Sequence, residues 1–182
     1  MNDTKRKTIV IFGSGKPDPG SPAYQQAYDL GKMLAESGYA IANGGYGGTM
    51  AAAAQGAAEN RSSPDACPII GVTCDAFGRN GPNPWIDKEI RTKNLNQRLD
   101  TLVNLADAYI ILPGATGTLL EIAMIWELIN KHFLPLRPII LLSEYWKPVI
   151  DTVVQAGEAD TENLVFAESL DQFRQILNDY FD

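Results

Sequence analysis

The stretch "DAYIILPGATGTLLEI", residues Asp107 to Ile122, contains in direct succession an apolar run, a glycine-rich turn and the start of a periodic apolar pattern. The apolar run is short and rich in isoleucine, which is typical of a buried β-strand. Gly114 and Gly117 allow a tight turn, and the apolar spacing that follows predicts a helix to about residue 132. A strand that turns directly into a helix is half of a βαβ unit, so the stretch predicts a parallel sheet.

The same alternation of strands and helices runs along the whole chain. Further strands are predicted at residues 8–14, 38–43, 68–74, 137–143 and 163–167, and further helices at residues 22–37, 49–59, 94–105, 145–157 and 169–181. The pattern therefore predicts an α/β fold with a mostly parallel sheet and helices on both faces. Because no repeat or linker interrupts it, a single domain is predicted over residues 1–182. Segment 75–87 is expected to be a long loop with a functional or mobile role.

Composition limits the kinds of partner. The chain has 182 residues, 45% of them hydrophobic, and a formal net charge of -7. That charge opposes binding to nucleic acid or to an anionic membrane, and it disfavours a DNA-handling module. No apolar run approaches the ~20 residues of a membrane span, and the polar N-terminus does not resemble a signal peptide. A cytoplasmic protein is therefore expected.

The two cysteines, Cys67 and Cys74, are separated by an odd number of positions around a predicted strand. An odd spacing places their side chains on opposite faces, so they are not expected to bond to each other. Nothing in the sequence resembles a disulfide framework or a four-ligand metal site. We therefore expect reduced thiols, no bound metal and no cofactor.

Glycine-rich turns follow three of the predicted strands, as "GSGKPDPGS" at 13–21, "NGGYGGTM" at 43–50 and "PGATGT" at 113–118. The carboxyl ends of parallel strands share one edge of a sheet, where ligands bind. Backbone N–H groups of such turns and of helix N-termini bind anions, so a phosphate or nucleotide site is predicted, although none of the turns is a P-loop. The candidate binding residues, which include one at the start of the 94–105 helix, are Ser14, Gly44, Gly45, Gly47, Gly48, Met50, Asn94, Gly114, Thr116, Gly117 and Thr118.

Glu121 has two interpretations. Thr118 and Glu121 match a capping box, with threonine as N-cap and glutamate at N3, and this pattern alone would explain both residues. Glu121 also shares a helix face with Ile125 and Leu128, which places its carboxylate beside an apolar stripe. A partly desolvated carboxylate next to a glycine-rich turn has the environment expected of a catalytic group.

Arg98 also has two interpretations. Leu95, Leu99 and Leu102 form the apolar stripe of its helix, and a guanidinium at the border of such a stripe needs an anionic partner. An Arg98–Glu121 ion pair could simply tie two helices together. Alternatively, Arg98 holds a substrate and keeps Glu121 ionised, while Glu121 acts on a water molecule or a ribose.

Both glycine motifs resemble those of a known family. The segment "NGGYGGTMAAAAQGA" at 43–57 resembles the G-G-G-x-x-G-x-M segment of LONELY GUY-type proteins, and "LPGATGTLLEI" at 112–122 resembles their P-G-G-x-G-T-x-x-E signature. The resemblance extends from about residue 8 to residue 145. It implies a Rossmann-like, doubly wound fold, usually dimeric, and a phosphoribohydrolase that cleaves nucleoside 5'-monophosphates into base and ribose 5-phosphate.

The resemblance also assigns roles to residues. The family's catalytic arginine and glutamate fall on Arg98 and Glu121, and its phosphate-binding loop falls on segment 114–118. Two positions depart from the pattern, because Ala115 replaces the second glycine of P-G-G and Leu99 replaces the lysine that usually follows the arginine. The sequence therefore resembles a divergent branch of the family.

Two functions follow as expectations. The first is a metal-independent N-glycosidase that acts on a purine nucleoside 5'-monophosphate. The second is a nucleotide-binding or sensing module without turnover, since binding can survive changes that abolish chemistry.

A homodimer is also expected. The segment "MIWELINKHFLPL" at 124–136 contains a wider apolar surface than one sheet face needs. The residues that carry this expectation are Ile125, Trp126, Ile129 and Phe133.

Overall fold

The computed structural model describes residues 6–157 and 160–181, and within them seven parallel strands form one sheet in the order β4-β3-β2-β1-β5-β6-β7. The strands are β1 (Thr8–Phe12), β2 (Ala40–Asn43), β3 (Ile69–Cys74), β4 (Lys88–Thr92), β5 (Ala108–Ile111), β6 (Ile139–Leu142) and β7 (Leu164–Ala167). The helices are α1 (Pro22–Glu36), α2 (Thr49–Asn60), α3 (Leu95–Leu105), α4 (Thr116–Asn130), α5 (Ser143–Gly157) and α6 (Leu170–Phe181). The predicted α/β fold is therefore confirmed.

Helices cover both faces of the sheet because alternate residues of each strand point to opposite sides. In β1, Ile9 and Ile11 pack into one apolar core with α1, α2 and α6. The alternate residues, Val10 and Phe12, pack into a second core with α3, α4 and α5. Strands buried on both faces are nearly continuous apolar runs, which is why the sequence predicts them well.

Helices α1 and α2 meet at backbone distance. A Cβ built at Gly31 would overlap the backbone carbonyl of Ala53, and one at Gly56 would overlap that of Tyr28. The glycines and the alanine-rich face of α2 therefore allow a close approach that larger side chains would prevent.

Strand β4 was not predicted from the sequence. It lies at the edge of the sheet, beside β3, and its residues are mostly exposed and polar. An edge strand has little apolar signal, because only one neighbour pairs with it and its side chains remain in water. The predicted loop 75–87 is therefore followed directly by a strand, and the composition of that strand does not reveal it.

Two smaller expectations concern the cysteines and the membrane. Cys67 and Cys74 are both buried and free, as expected. Burial raises the pKa of the Cys67 thiol to about 11, so it is an unreactive core residue.

None of the helices within the described residues has both the length and the apolar character needed to cross a bilayer.

The order of the strands reverses at β1, which pairs with β2 on one side and with β5 on the other. A crevice forms at such a switch point, outside the carboxyl ends of the strands. The loops that follow β1, β2 and β5 are joined there by hydrogen bonds. Ser14 N donates to Pro113 O at 3.1 Å, while Thr49 N and Thr49 Oγ1 donate to Ser14 O at 2.9 and 3.0 Å.

Candidate active site

A pocket of about 350 Å³ lies at the switch point, at the carboxyl edge of the sheet. Six of the predicted site residues contribute to its wall: Ser14, Met50, Arg98, Gly117, Thr118 and Glu121. The structure thus brings together the predicted catalytic pair and parts of all three glycine loops. This convergence follows from the parallel sheet, because each loop leaves the same edge.

The other predicted residues lie next to the pocket without lining it. Gly44 lies directly under the guanidinium of Arg98, where a Cβ would overlap it. Gly45 and Gly48 have positive φ, and a Cβ at Gly48 would overlap the backbone of the first glycine loop. Gly47 is free of close neighbours, since the nearest atom to its Cβ would be 3.7 Å away.

Three further predicted residues have local structural roles. Asn94 is the N-cap of α3, and its side chain accepts a hydrogen bond from Gln97 N at 3.0 Å. Gly114 lies under the side chain of Thr118, where a Cβ would overlap the threonine hydroxyl. Thr116 is the first residue of α4.

Tyr46 and Ala115 lie within the segments that were expected to line the pocket, although neither was named as a candidate. The other lining residues were not predicted from the sequence: Gly13, Gly15, Lys16, Phe77, Arg79, Leu95, Leu99 and Leu120. Lys16 and Tyr46 lie within glycine loops that the sequence analysis identified. Their place in those loops was the sequence feature that could have indicated that they line the pocket. Phe77 and Arg79 lie in the loop that was expected to be functional. No motif marks these side chains individually.

Arg98 is held in place by contacts on several sides. Its Nε donates to Val72 O at 2.9 Å, and its guanidinium lies 5.8 Å from the ring centre of Tyr46 and 5.6 Å from that of Phe77. Its Nη1 lies 3.8 Å from Oε1 of Glu121, and both side chains are buried. Burial lowers the pKa of Arg98 from its ordinary value, while Glu121 opposes that change.

Glu121 is not part of a capping box, so that interpretation is wrong. Helix α4 begins at Thr116 with Ala115 as its N-cap, and no side chain caps it. Thr118 is therefore already inside the first turn, and Glu121 lies beyond it. The reason is that the turn at Gly114 and Ala115 starts the helix earlier than the threonine–glutamate spacing implies.

Burial raises the pKa of the Glu121 carboxyl to about 8, and the positive charge of Arg98 opposes this rise without cancelling it. Desolvation of Glu121 thus opposes the ionisation that the sequence analysis expected Arg98 to favour. The physical reason is that desolvation of a buried carboxylate outweighs a single cation at 3.8 Å. The carboxyl therefore exchanges its proton near neutral pH.

This raised pKa predicts a pH-dependent difference between the wild type and the Glu121→Gln variant. An unfolded chain ionises Glu121 at its ordinary pKa, while the folded protein keeps the proton up to about pH 8. The wild type should therefore lose stability relative to the variant as pH rises from about 5 to 8, by at most ~1.4 kcal/mol per pH unit. Urea denaturation of both proteins at several pH values measures the difference. Parallel stability curves would mean that Glu121 has an ordinary pKa.

The turn before α4 forms a cradle for an anion. The first N–H groups of a helix have no partner within it, and they carry its positive dipole end. A Cβ at Gly117 would meet no atom within 4 Å, so the backbone there is open to the pocket. Tyr145 donates a 2.7 Å hydrogen bond from its hydroxyl to Gly114 O, which fixes the turn. The cradle suits a phosphate group.

Ala115 does not disturb this cradle. Its backbone has φ -102° and ψ -151°, an extended conformation that alanine adopts without strain. The departure from the P-G-G pattern therefore has no conformational cost. Leu99, the second departure, is buried and lines the pocket with an apolar surface where the family pattern has a lysine.

The pocket is locally basic in an acidic protein. Among the described residues that line it, Lys16, Arg79 and Arg98 are basic and Glu121 is acidic. The whole chain has a formal net charge of -7. A basic pocket in an acidic molecule is suited to a small anion.

The apolar stretch expected to mediate dimerisation is largely internal. Ile125, Trp126 and Ile129 are buried in the core under α4, and Trp126 Nε1 donates to Asp160 O at 2.6 Å. They are therefore not available to a partner, and that part of the expectation is wrong. Phe133 does remain on the surface, with 76% of it exposed.

Sequence comparison identifies relatives over nearly the whole chain. The model of the SLOG cluster4 family matches residues 6–173. An uncharacterized protein of Archaeoglobus fulgidus is 32% identical over 66% of this chain and 74% of its own length. The cytokinin riboside 5'-monophosphate phosphoribohydrolase of Rhodococcoides fascians is 25% identical over 83% of this chain and 76% of its own length.

Solved structures share the fold. The molybdenum cofactor binding protein of Rippkaea orientalis superposes with a TM-score of 0.75 at 22% identity, covering 98% of this chain and 99% of that one. The proteins similar to this chain therefore include one named for what it binds and one named for a hydrolytic reaction.

Proposed function

The chain belongs to the SLOG cluster4 family, and on this premise we propose that it is a phosphoribohydrolase that cleaves a purine nucleoside 5'-monophosphate into free base and ribose 5-phosphate. The named Rhodococcoides fascians relative supports this class of reaction. The substrate of that relative is not transferred to this chain.

The observation that carries the proposal is the placement of Glu121 and Arg98 beside the phosphate cradle. Both residues are buried, their charged atoms are 3.8 Å apart, and both line the same pocket as Gly117 and Thr118 at the start of α4. A nucleotide with its 5'-phosphate in the cradle would place its ribose beside this pair.

Cleavage of the N-glycosidic bond gives the ribose oxocarbenium character. The C1'–N bond breaks with its electron pair leaving on the base nitrogen, and the oxygen of a water molecule bonds to C1'. Glu121 takes a proton from that water and stabilises the positive charge on the ribose; the proton then passes to the departing base. A pKa of about 8 suits this role, because general bases work best near the operating pH. Arg98 orients the nucleotide and the carboxylate.

The direct test is to incubate the purified protein with a panel of nucleoside 5'-monophosphates and to separate the products by chromatography. Stoichiometric free base and ribose 5-phosphate are the expected products. The corresponding nucleosides, which lack the phosphate, should react much more slowly because they cannot use the cradle. The absence of free base from every monophosphate would contradict the proposal.

A non-catalytic nucleotide-binding or carrier protein is the second candidate. The observation that favours it is Leu99, which removes a positive charge from the pocket wall relative to the family pattern. The similarity to a molybdenum cofactor binding protein concerns the fold alone. Calorimetry that detects tight binding without any product would favour this candidate over the enzyme.

We also propose that the protein is a homodimer that uses the exposed surface after α4. Phe133 is 76% exposed and Leu136 is 52% exposed, and neighbouring exposed apolar side chains of this size are typical of interaction sites. Phe133→Ser should weaken self-association at least tenfold without unfolding the protein, since the side chain packs little in the monomer. Sedimentation across micromolar concentrations measures this effect. A wild type that sediments only as a 19.9 kDa monomer would contradict the proposal.

A further inference from the structure

The loop that follows β3 forms one wall of the pocket and is fixed to the second glycine loop. Asn83 N donates to Gly45 O at 2.7 Å, and Asn83 Nδ2 donates to Tyr46 O at 2.9 Å. Gly78 and Gly81 have positive φ, and a Cβ at either would meet no atom within 4 Å. The segment between these glycines is thus an open turn on an anchored base, and it places Arg79 at the pocket.

The guanidinium of Arg79 lies over the aromatic ring of Tyr46, beside Phe77. Its guanidinium carbon is 4.7 Å from the ring centre of Tyr46, and the Tyr46 and Phe77 rings are 6.0 Å apart. Phe77 is 43% exposed, so part of its ring faces the pocket. Within residues 6–157 and 160–181, the Arg79 side chain has no hydrogen bond and no ion pair, so its N–H donors are available.

Arg79 and the phosphate cradle belong to different parts of the pocket wall. The loop after β3 and the loop after β5 are separated by three strand spacings. Adjacent strands are about 4.8 Å apart, so the carboxyl ends of β3 and β5 lie about 14 Å apart. Arg79 lies over Tyr46, in the loop that follows β2. Arg98 lies between the two strand ends, since it contacts Val72 O on β3 and approaches Glu121 on α4. A nucleotide with its phosphate in the cradle therefore extends its base toward Arg79.

We infer that Arg79 selects a base whose edge presents hydrogen-bond acceptors, such as a 6-oxopurine, over a 6-aminopurine. This inference rests on the proposed nucleotide ligand. An arginine side chain carries five N–H donors and no acceptor, so it pairs with the oxo group and ring nitrogen of a 6-oxopurine. The 6-amino group of adenine is itself a donor, so it faces the guanidinium unfavourably. The exposed part of the Phe77 ring provides an apolar aromatic surface for either base.

The experiment compares inosine 5'-monophosphate with adenosine 5'-monophosphate, which differ chiefly at the 6-position. Calorimetry on the Glu121→Gln protein measures affinity without consuming the ligand, and base release by the wild type is measured separately. We expect inosine monophosphate to bind at least tenfold more tightly. Adding Arg79→Gln should remove or reverse this preference, because glutamine pairs well with adenine. Arg174→Gln, an exposed arginine on α6, is the matched control and should leave the preference intact.

Each other outcome has a defined meaning. Equal affinities for the two nucleotides would overturn the inference, even if the wild type releases base. An equal loss of both affinities in the Arg79→Gln protein would also overturn it, since Arg79 would then attract the phosphate rather than read the base. A preference that depends on Arg79, without base release by the wild type, would sustain the inference and contradict only the proposed hydrolysis. No binding of either nucleotide would overturn both.

Discussion

Glu121→Gln is expected to lower the rate of base release by ~10²-fold or more while leaving the protein folded and able to bind nucleotide. Glutamine has nearly the same volume as glutamate and adds no charge to the buried site, so the fold should be retained. Glutamine cannot take a proton from water or stabilise a positive charge on the ribose. Product chromatography gives the rate, and calorimetry with the same nucleotide gives the affinity.

The matched control is Glu127→Gln on the same helix. Glu127 forms an exposed i,i+4 ion pair with Lys131 at 3.8 Å, outside the pocket. Removing such a surface pair changes stability by less than ~1 kcal/mol and should leave turnover unchanged. If Glu121→Gln were as active as Glu127→Gln, the carboxylate would have no part in the reaction, and the Arg98–Glu121 contact would be structural.

Gly44→Ala is expected to reduce base release by roughly 10²-fold through the position of Arg98. The added Cβ would overlap the Arg98 guanidinium and lie 2.6 Å from Met50 Sδ. Arg98 is buried and anchored to Val72 O, so it must leave its present position and move relative to Glu121. Turnover, nucleotide affinity and melting temperature should all be measured, and the protein should remain folded because the affected atoms belong to side chains.

The control for this variant lies in the same loop. Gly47→Ala also adds one methyl group to the second glycine loop, but its nearest neighbour would be Gly15 O at 3.7 Å, an ordinary contact. Its activity should stay within about twofold of the wild type. Equal losses in the two variants would indicate a general effect on the loop rather than displacement of Arg98.

The sequence predicted the fold because buried parallel strands and the helices between them have strong, distinct patterns. It also predicted the pairing of Arg98 with Glu121, which lie on different helices, and that pairing came from desolvation arguments together with family motifs. Strand β4 was missed because it is a polar edge strand. The capping box was wrong because a threonine and a glutamate three residues apart also occur inside a helix that has already begun.

Other parts of the site depend on the tertiary structure alone. The rise of the Glu121 pKa comes from burial among elements distant in the sequence, and a local pattern indicates only that the carboxyl is near an apolar stripe. Arg79 has no motif, and it reaches the pocket because the loop after β3 leaves the same sheet edge and is hydrogen-bonded to the loop after β2. The apolar stretch before Phe133 is a further example. Its sequence shows that the residues are hydrophobic, but only the tertiary structure shows which of them are buried in the core and which remain exposed.

The loops at the pocket differ in how freely they can vary through evolution or engineering. The turn after β1 is bound through Ser14 to both other glycine loops, so an insertion there would shift the cradle and Arg98's surroundings together. The two residues between Gly78 and Gly81 are exposed, and the contact of Arg79 with the Tyr46 ring is a surface contact, so their replacement leaves the packed core intact. New ligand preferences should therefore arise by exchange of that short turn, with the reaction retained, and a library confined to residues 79 and 80 is the economical place to look for them.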